Sequence, residues 1–98
     1  MLAKALRSHG YDARRGVQYA GGTESPDVVG LPGVHIECKW VQNLNIHKAY
    51  EQAVRDAGGK AIPAVFHKRN GEPFMVTLSL NDFMEIYQIW EKIHSSTT

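Results

Sequence analysis

The sequence predicts a mixed α/β (α+β) fold with a central mixed sheet flanked by helices, and three observations carry that expectation. Apolar residues recur at helical spacing over residues 46–57 and again over 83–93. Short runs rich in β-branched and aromatic residues lie before and between these segments. Two pairs of such runs are joined by the tight-turn sequences Pro32-Gly33 and Asn70-Gly71. The resulting order is helix, three strands, helix, two strands, helix.

Residues 1–9 contain the good helix formers Leu2, Ala3, Ala5 and Leu6, with a stop at Gly10, and read as the last turns of a helix. Residues 11–17 suit a strand, whereas residues 18–26, rich in Gly, Thr and Ser, suit a turn or flexible loop. Residues 27–31 and 35–41 are the arms of a hairpin about Pro32-Gly33. Asn45 is a fitting N-cap, and Ile46, Ala49, Tyr50, Ala53, Val54 and Ala57 then fall at i, i+3, i+4, i+7, i+8 and i+11 before Gly58-Gly59, which predicts an amphipathic helix. Residues 62–68 and 73–78 pair as antiparallel strands across a turn at 69–72. Ser79 with Asp82 forms a capping-box pattern opening a final helix. On that helix Phe83, Tyr87 and Trp90 suit a core or dimer contact better than a base-stacking surface. Residues 1–94 thus form one domain, and the polar residues 95–98 are expected to be a disordered tail.

A chain of 98 residues, 43% apolar and 21% charged, holds one core and not two. Such a chain buries only about two-thirds of the surface its unfolded form exposes, so a homodimer is a natural way to enlarge the core. The longest uncharged stretches, such as residues 28–36, are too short and glycine-rich to span a membrane, and no apolar leader opens the chain. The single Cys38 supports neither an internal disulfide nor a thiolate zinc site, which points to a reducing, intracellular compartment. A net charge of +1 excludes nucleic-acid binding by bulk charge alone. Its distribution is uneven: residues 1–69 carry ten basic and six acidic residues, residues 70–98 one basic and four acidic. That asymmetry fits either a basic face for phosphates or a mixed solvated surface.

Alternation along His35-Ile36-Glu37-Cys38-Lys39-Trp40 puts His35, Glu37 and Lys39 on one strand face and Ile36, Cys38 and Trp40 on the other. An isolated Glu-x-Lys pair is usually an ordinary half-exposed strand face. Here Asp27 lies across one tight turn, and a hairpin of that length brings the carboxylates of Asp27 and Glu37 together at one end. Two adjacent carboxylates repel each other, and a hard divalent cation such as Mg²⁺ relieves the repulsion. Lys39 beside it is placed to orient water or to stabilise charge on a phosphate. Carboxylate, carboxylate and lysine are a minimal set for hydrolysing a phosphodiester.

Pro26-Asp27 followed by Glu37-Cys38-Lys39 matches the PD-(D/E)XK motif, and the chain resembles that nuclease superfamily with its restriction-endonuclease-like core, here in the order α-β-β-β-α-β-β-α. Within it the pattern looks like the archaeal-type and phage Holliday junction resolvases and the virus-type replication-repair nuclease (VRR-NUC) domains. The similarity runs from Leu2 to about Leu78 and includes Ser8-His9-Gly10-Tyr11, Arg14-Arg15, the Gly-rich loop, Ser25-Pro26-Asp27 and a helix carrying Gln52. The resemblance implies that Asp27, Glu37 and the backbone carbonyl of Cys38 bind Mg²⁺, with Mn²⁺ able to substitute, and that Lys39 is catalytic. It implies a glutamine facing the site, which Gln52 satisfies unless it is merely solvated. Ser25 either contacts phosphate or shapes the turn before proline. It further implies a cytoplasmic, bacterial or phage-encoded protein acting on branched DNA. One departure stands out: these families carry a glutamate in the first helix, and none precedes Gly10. Alignment on Leu6 and Gly10 puts it just before Met1, so either the chain starts late or Glu24 takes its place.

Arg14, Arg15, Lys68 and Arg69 are candidates for phosphate contact, with plain surface charge as the alternative; of the adjacent pair Arg14 and Arg15, one must point away. Tyr19 either stacks on a base or anchors its loop. His9, His35, His47, His67 and His94 lack metal-ligand spacing, and His35 is expected to be a surface strand residue. Cys38, turned to the apolar side, is expected to be a buried small residue and not a nucleophile. The sequence therefore supports a Mg²⁺-dependent endonuclease for branched DNA; the rival is a catalytically impaired nuclease-fold module that only binds nucleic acid. A structural protein with an accidental motif would show no salt-dependent DNA binding.

Overall fold

The computed structural model describes residues 1–16 and 27–95. Its elements are α1 (Leu2–Ser8), β1 (Arg14–Arg15), β2 (Val28–Val29), β3 (Val34–Trp40), α2 (Ile46–Ala57), β4 (Ile62–Lys68), β5 (Met75–Thr77) and α3 (Leu80–Ser95), in the predicted order. β3 and β4 run parallel, which demands a crossover, and α2 supplies it. The other neighbours are antiparallel, so the five strands lie side by side in chain order as one mixed sheet.

Alternation along β3 and β4 divides the core into two layers. Ile36, Ala64 and Phe66 face α1 and join Leu2, Ala3, Ala13 and Val28, with Cys38 and Phe74 packed at the margin. Val65 faces the other way and meets Ala49 and Ala53 of α2, flanked by Leu44, Ile46 and Tyr50. The α2 side is lined by alanines, which lets the helix lie close to the strands. Asn45 caps α2 by accepting from the Lys48 N–H at 3.2 Å, and Gly58 ends it in a left-handed conformation at φ 60°.

Three strands are shorter than the alternation predicts: β1 has two residues, β2 two and β5 three. Alternation marks which residues share a face, whereas a strand lasts only as long as it has a neighbour to pair with. α3 departs further from expectation. Ser79 caps it, accepting from the Asp82 N–H at 3.1 Å, but no residue of α3 is buried. It runs through Ser95, the first residue of the expected tail. The radius of gyration, 14.5 Å, exceeds the roughly 12.6 Å of a compact chain this long, as a projecting helix requires.

Gly30 lets β1 lie against β2. Its φ is 119°, and a Cβ there would stand 2.4 Å from the Asp12 carbonyl oxygen and 2.5 Å from the Ala13 Cα. Only glycine permits both the dihedral and the approach. The substitution Gly30→Ala is expected to cost about 2 kcal/mol or more, lowering Tm by on the order of 10 °C in a thermal melt.

Candidate active site

Strand and helix geometry bring the polar residues together. Alternate residues on a strand advance by about 6.6 Å and residues four apart on a helix by about 6 Å, so a polar stripe on β3 can match one on an antiparallel helix step for step. β3 presents His35, Glu37 and Lys39 to α2, and α2 presents Gln52 and Asp56. Lys39 Nζ donates to Gln52 Oε1 at 3.5 Å and lies 3.5 Å from Glu37 Oε2. At the other end, His35 Nε2 is 3.9 Å from Glu37 Oε1, and Asp56 brings a carboxylate oxygen to the same place.

Asp27 reaches the site from the neighbouring strand. Its N–H donates to the Ile36 carbonyl at 3.1 Å, although the register pairs Ile36 with Val28, so two residues of this arm oppose one of β3, as in a β-bulge. The offset turns the Asp27 carboxylate onto the β3 backbone, where Oδ2 accepts from the Cys38 N–H at 2.8 Å. The Cys38 carbonyl projects from the same strand edge, past the last described β2 to β3 pair. The hairpin thus fixes Asp27 against the main chain that links Glu37 to Lys39.

Asp27, Cys38 and Lys39 line an open groove of about 670 Å³, whose walls include Met1, Arg15, Trp40 and Phe74. Trp40 is held by its indole N–H donating to Asn70 Oδ1 at 2.9 Å and by an edge contact with Phe74. The paired arginines diverge: Arg15 lines the groove, while Arg14 lies 3.7 Å from Asp12 and is exposed. The Lys68 ammonium sits 4.7 Å above the Trp40 ring, and Arg69 pairs with Glu72 at 3.4 Å; both line a neighbouring surface pocket and not this groove. Ser25, Glu24 and Tyr19 fall outside the described residues.

One expectation is corrected. His35 is buried, at 6% exposure, and not a surface histidine, because α2 covers the strand face that alternation alone marks as polar. Glu37 is covered likewise, at 3% exposure, whereas Lys39 at the end of the stripe keeps 30% of its side chain exposed. Asp56 and Trp40 were not singled out as site residues. Asp56 could have been found from its position one helical turn after Gln52; Trp40 carries no signal beyond its place next to Lys39.

Burial pushes the Glu37 carboxyl above its usual value, and the Asp27 charge pushes it further, against a smaller opposing pull from Lys39. The Cys38 thiol is likewise pushed up by burial and then by Asp27, which leaves it protonated and unreactive. The Asp27 carboxylate and Cys38 line the groove, and the Glu37 carboxylate is buried beside Lys39; carboxylates and a backbone carbonyl are the hard oxygen set that suits Mg²⁺ or Mn²⁺.

No family model matches the chain, and no curated protein matches it. Among solved structures it is similar to Hjc of Archaeoglobus fulgidus, a Holliday junction resolvase from an archaeal hyperthermophile. The likeness has a TM-score of 0.59 and 28% identity, and covers 79% of this chain and 70% of that one. The resemblance to PD-(D/E)XK nucleases of the archaeal resolvase type is thus shown across the fold, with the mixed five-stranded sheet and flanking helices as its basis. No helix among the described residues is long and apolar enough to cross a membrane.

The raised Glu37 carboxyl makes stability depend on pH. A group whose folded-state pKa is raised favours the fold when protonated, so its contribution is full below the usual 4.5 and is lost as pH rises through the raised value. In EDTA, Glu37→Gln is therefore expected to melt above the wild type at neutral pH, and the gap is expected to close as pH falls towards 4.5. Melts across a pH series check this; a gap independent of pH would contradict it.

Proposed function

We propose that this protein is a metal-dependent endonuclease that hydrolyses phosphodiesters in branched DNA, as a Holliday junction resolvase does, and that it works as a homodimer in the cytoplasm. The observation that carries this reading is the placing of Asp27 and Lys39 on one groove with the buried Glu37 carboxylate 3.5 Å from Lys39, Asp27 being tied by the Cys38 N–H to the backbone between the other two. The shared fold with a Holliday junction resolvase supports branched DNA as the substrate class.

Asp27, Glu37 and the Cys38 carbonyl are the residues that would hold Mg²⁺ or Mn²⁺. The donor set fits: burial first, and then the Asp27 charge, raise the Glu37 carboxyl, and a cation beside it favours the charged form again. Such an ion supplies positive charge against a phosphodiester and lowers the pKa of water. Lys39, its ammonium fixed between Gln52 and Glu37 yet 30% exposed, points a donor and a charge at phosphate oxygens in the groove. Gln52 positions Lys39 and does not itself reach the groove lining. Arg15 on the groove wall is placed to grip the DNA backbone next to the scissile bond, and Lys68 on the Trp40 face is placed to extend that grip.

α3 supports the dimer. Leu80, Phe83, Ile86, Ile89 and Trp90 are all more than 45% exposed, and Phe83, Tyr87 and Trp90 stack along one side of the helix. Apolar patches of this extent on small proteins mark interaction surfaces. A second copy is the natural occupant, because a two-fold dimer puts two sites in one particle and symmetric cleavage of a four-way junction requires two.

Labelled four-way junction, flap and duplex DNA are expected to be cut in Mg²⁺ with preference for the junction and left intact in EDTA. Asp27→Ala and Lys39→Ala are each expected to lower the rate by roughly 10²-fold or more. Junction binding without cleavage in Mg²⁺ or Mn²⁺ would favour a binding module instead. In sedimentation, the wild type is expected at twice the 11.0 kDa protomer mass, and Ile86→Glu or Trp90→Glu at the protomer mass. A monomeric wild type would remove the dimer from the reading.

A further inference from the structure

Behind the groove, on the side of Glu37 turned away from Lys39, lies a second cluster of donors. His35, Glu37 and Asp56 each bring one ligand atom within 4.8 Å of the other two. His35 Nε2 is buried and has no hydrogen-bond partner among the described residues; its nearest charged neighbour, Glu37 Oε1, is too far for a hydrogen bond at 3.9 Å. Orphaned buried polar atoms are rare and ask for a partner. Ionised carboxylates are acceptors only, and a neutral imidazole offers a lone pair at one nitrogen, so a cation satisfies all three at once.

We propose that His35, Glu37 and Asp56 form a site for a divalent transition-metal ion of the Zn²⁺ or Mn²⁺ class, separate from the groove. An ion at the centre of a triangle whose edges are at most 4.8 Å stands no more than roughly 2.8 Å from each corner, so small side-chain rotations bring it to bonding distance. One imidazole nitrogen with two carboxylate oxygens favours Zn²⁺ or Mn²⁺ over Mg²⁺ and Ca²⁺, which prefer oxygen alone. Access comes from a separate open pocket of about 510 Å³ lined by His35, Asp56, Gly58 and Lys60. Arg55 and Lys60 also line that pocket and carry the cation's own sign, so the three donors are what attract an ion there. Glu37 is common to both places, with Oε1 towards His35 and Oε2 towards Lys39. An ion behind the groove therefore fixes the orientation in which Glu37 is presented to it.

The test uses the full chain and reads metal binding, not cleavage, so it stands or falls apart from the nuclease reading. In Asp27→Ala, calorimetry with Zn²⁺ and with Mg²⁺ is expected to show one Zn²⁺ per chain, bound at least tenfold more tightly than Mg²⁺. His35→Gln and Asp56→Asn added to that background are each expected to weaken Zn²⁺ binding at least tenfold. Pulsed EPR of the Mn²⁺ form is expected to show coupling to an imidazole nitrogen that His35→Gln abolishes. Asp56 lies on the rim of the pocket, so Asp56→Asn keeps the test available should His35→Gln not fold. Zn²⁺ affinity unchanged by both substitutions, or no tighter than Mg²⁺, would overturn the site.

Discussion

The Glu37 carboxylate lies between β3 and α2, almost wholly out of water, and most of what surrounds it follows from keeping a charge there. Desolvation favours the neutral acid there, and Asp27 adds to that pressure. Lys39 opposes it at one oxygen; His35 lies nearest the other, where the Asp56 charge adds to the pressure. A buried carboxylate is poor for stability and useful for function, since it gives a strong, fixed negative charge next to a groove. The same residue links what faces the groove to what lies behind it.

Backbone geometry does the positioning. The one-residue offset between Asp27 and Ile36 turns Asp27 onto the Cys38 N–H, and Gly30 allows β1 close enough to put Arg15 on the groove wall. Both devices act on main chain rather than on flexible side chains, which holds charge placement to tighter tolerances than long side chains alone permit. On the helix side, the small buried residues Ala49, Ala53 and Ala57 bring α2 near the strands, so that the side chains of Gln52 and Asp56 reach the β3 stripe.

The cost of this arrangement falls on the core. Among the described residues only Ile36 and Val65 of the large side chains are fully buried, and one of the two layers is built largely of alanine. A domain with so thin a core gains from association, and α3 leaves its apolar residues open to solvent. The proposed dimer and the candidate site would then share one cause, polar groups inside and apolar ones outside.

Much of this was legible in the sequence. The element order follows from periodicity and turn chemistry, Asn45 and Ser79 from capping, and the placing of Glu37 and Lys39 on one face from the two-residue repeat of a strand. Motif spacing marks Asp27, and the family resemblance points to Gln52, which the structure sets against Lys39. What the sequence left open depends on neighbours remote in the chain. Alternation separates two faces of a strand but does not say which of them a helix covers, so His35 reads as exposed and is buried. The same limit hides Asp56, whose partners are two strand residues across the crossover. Helical spacing likewise marks an apolar face on α3 without saying what it packs against. Local sequence determined the elements and the chemistry they carry; only the packing of α2 on β3 decided which polar groups lose their water, and hence where charge is concentrated.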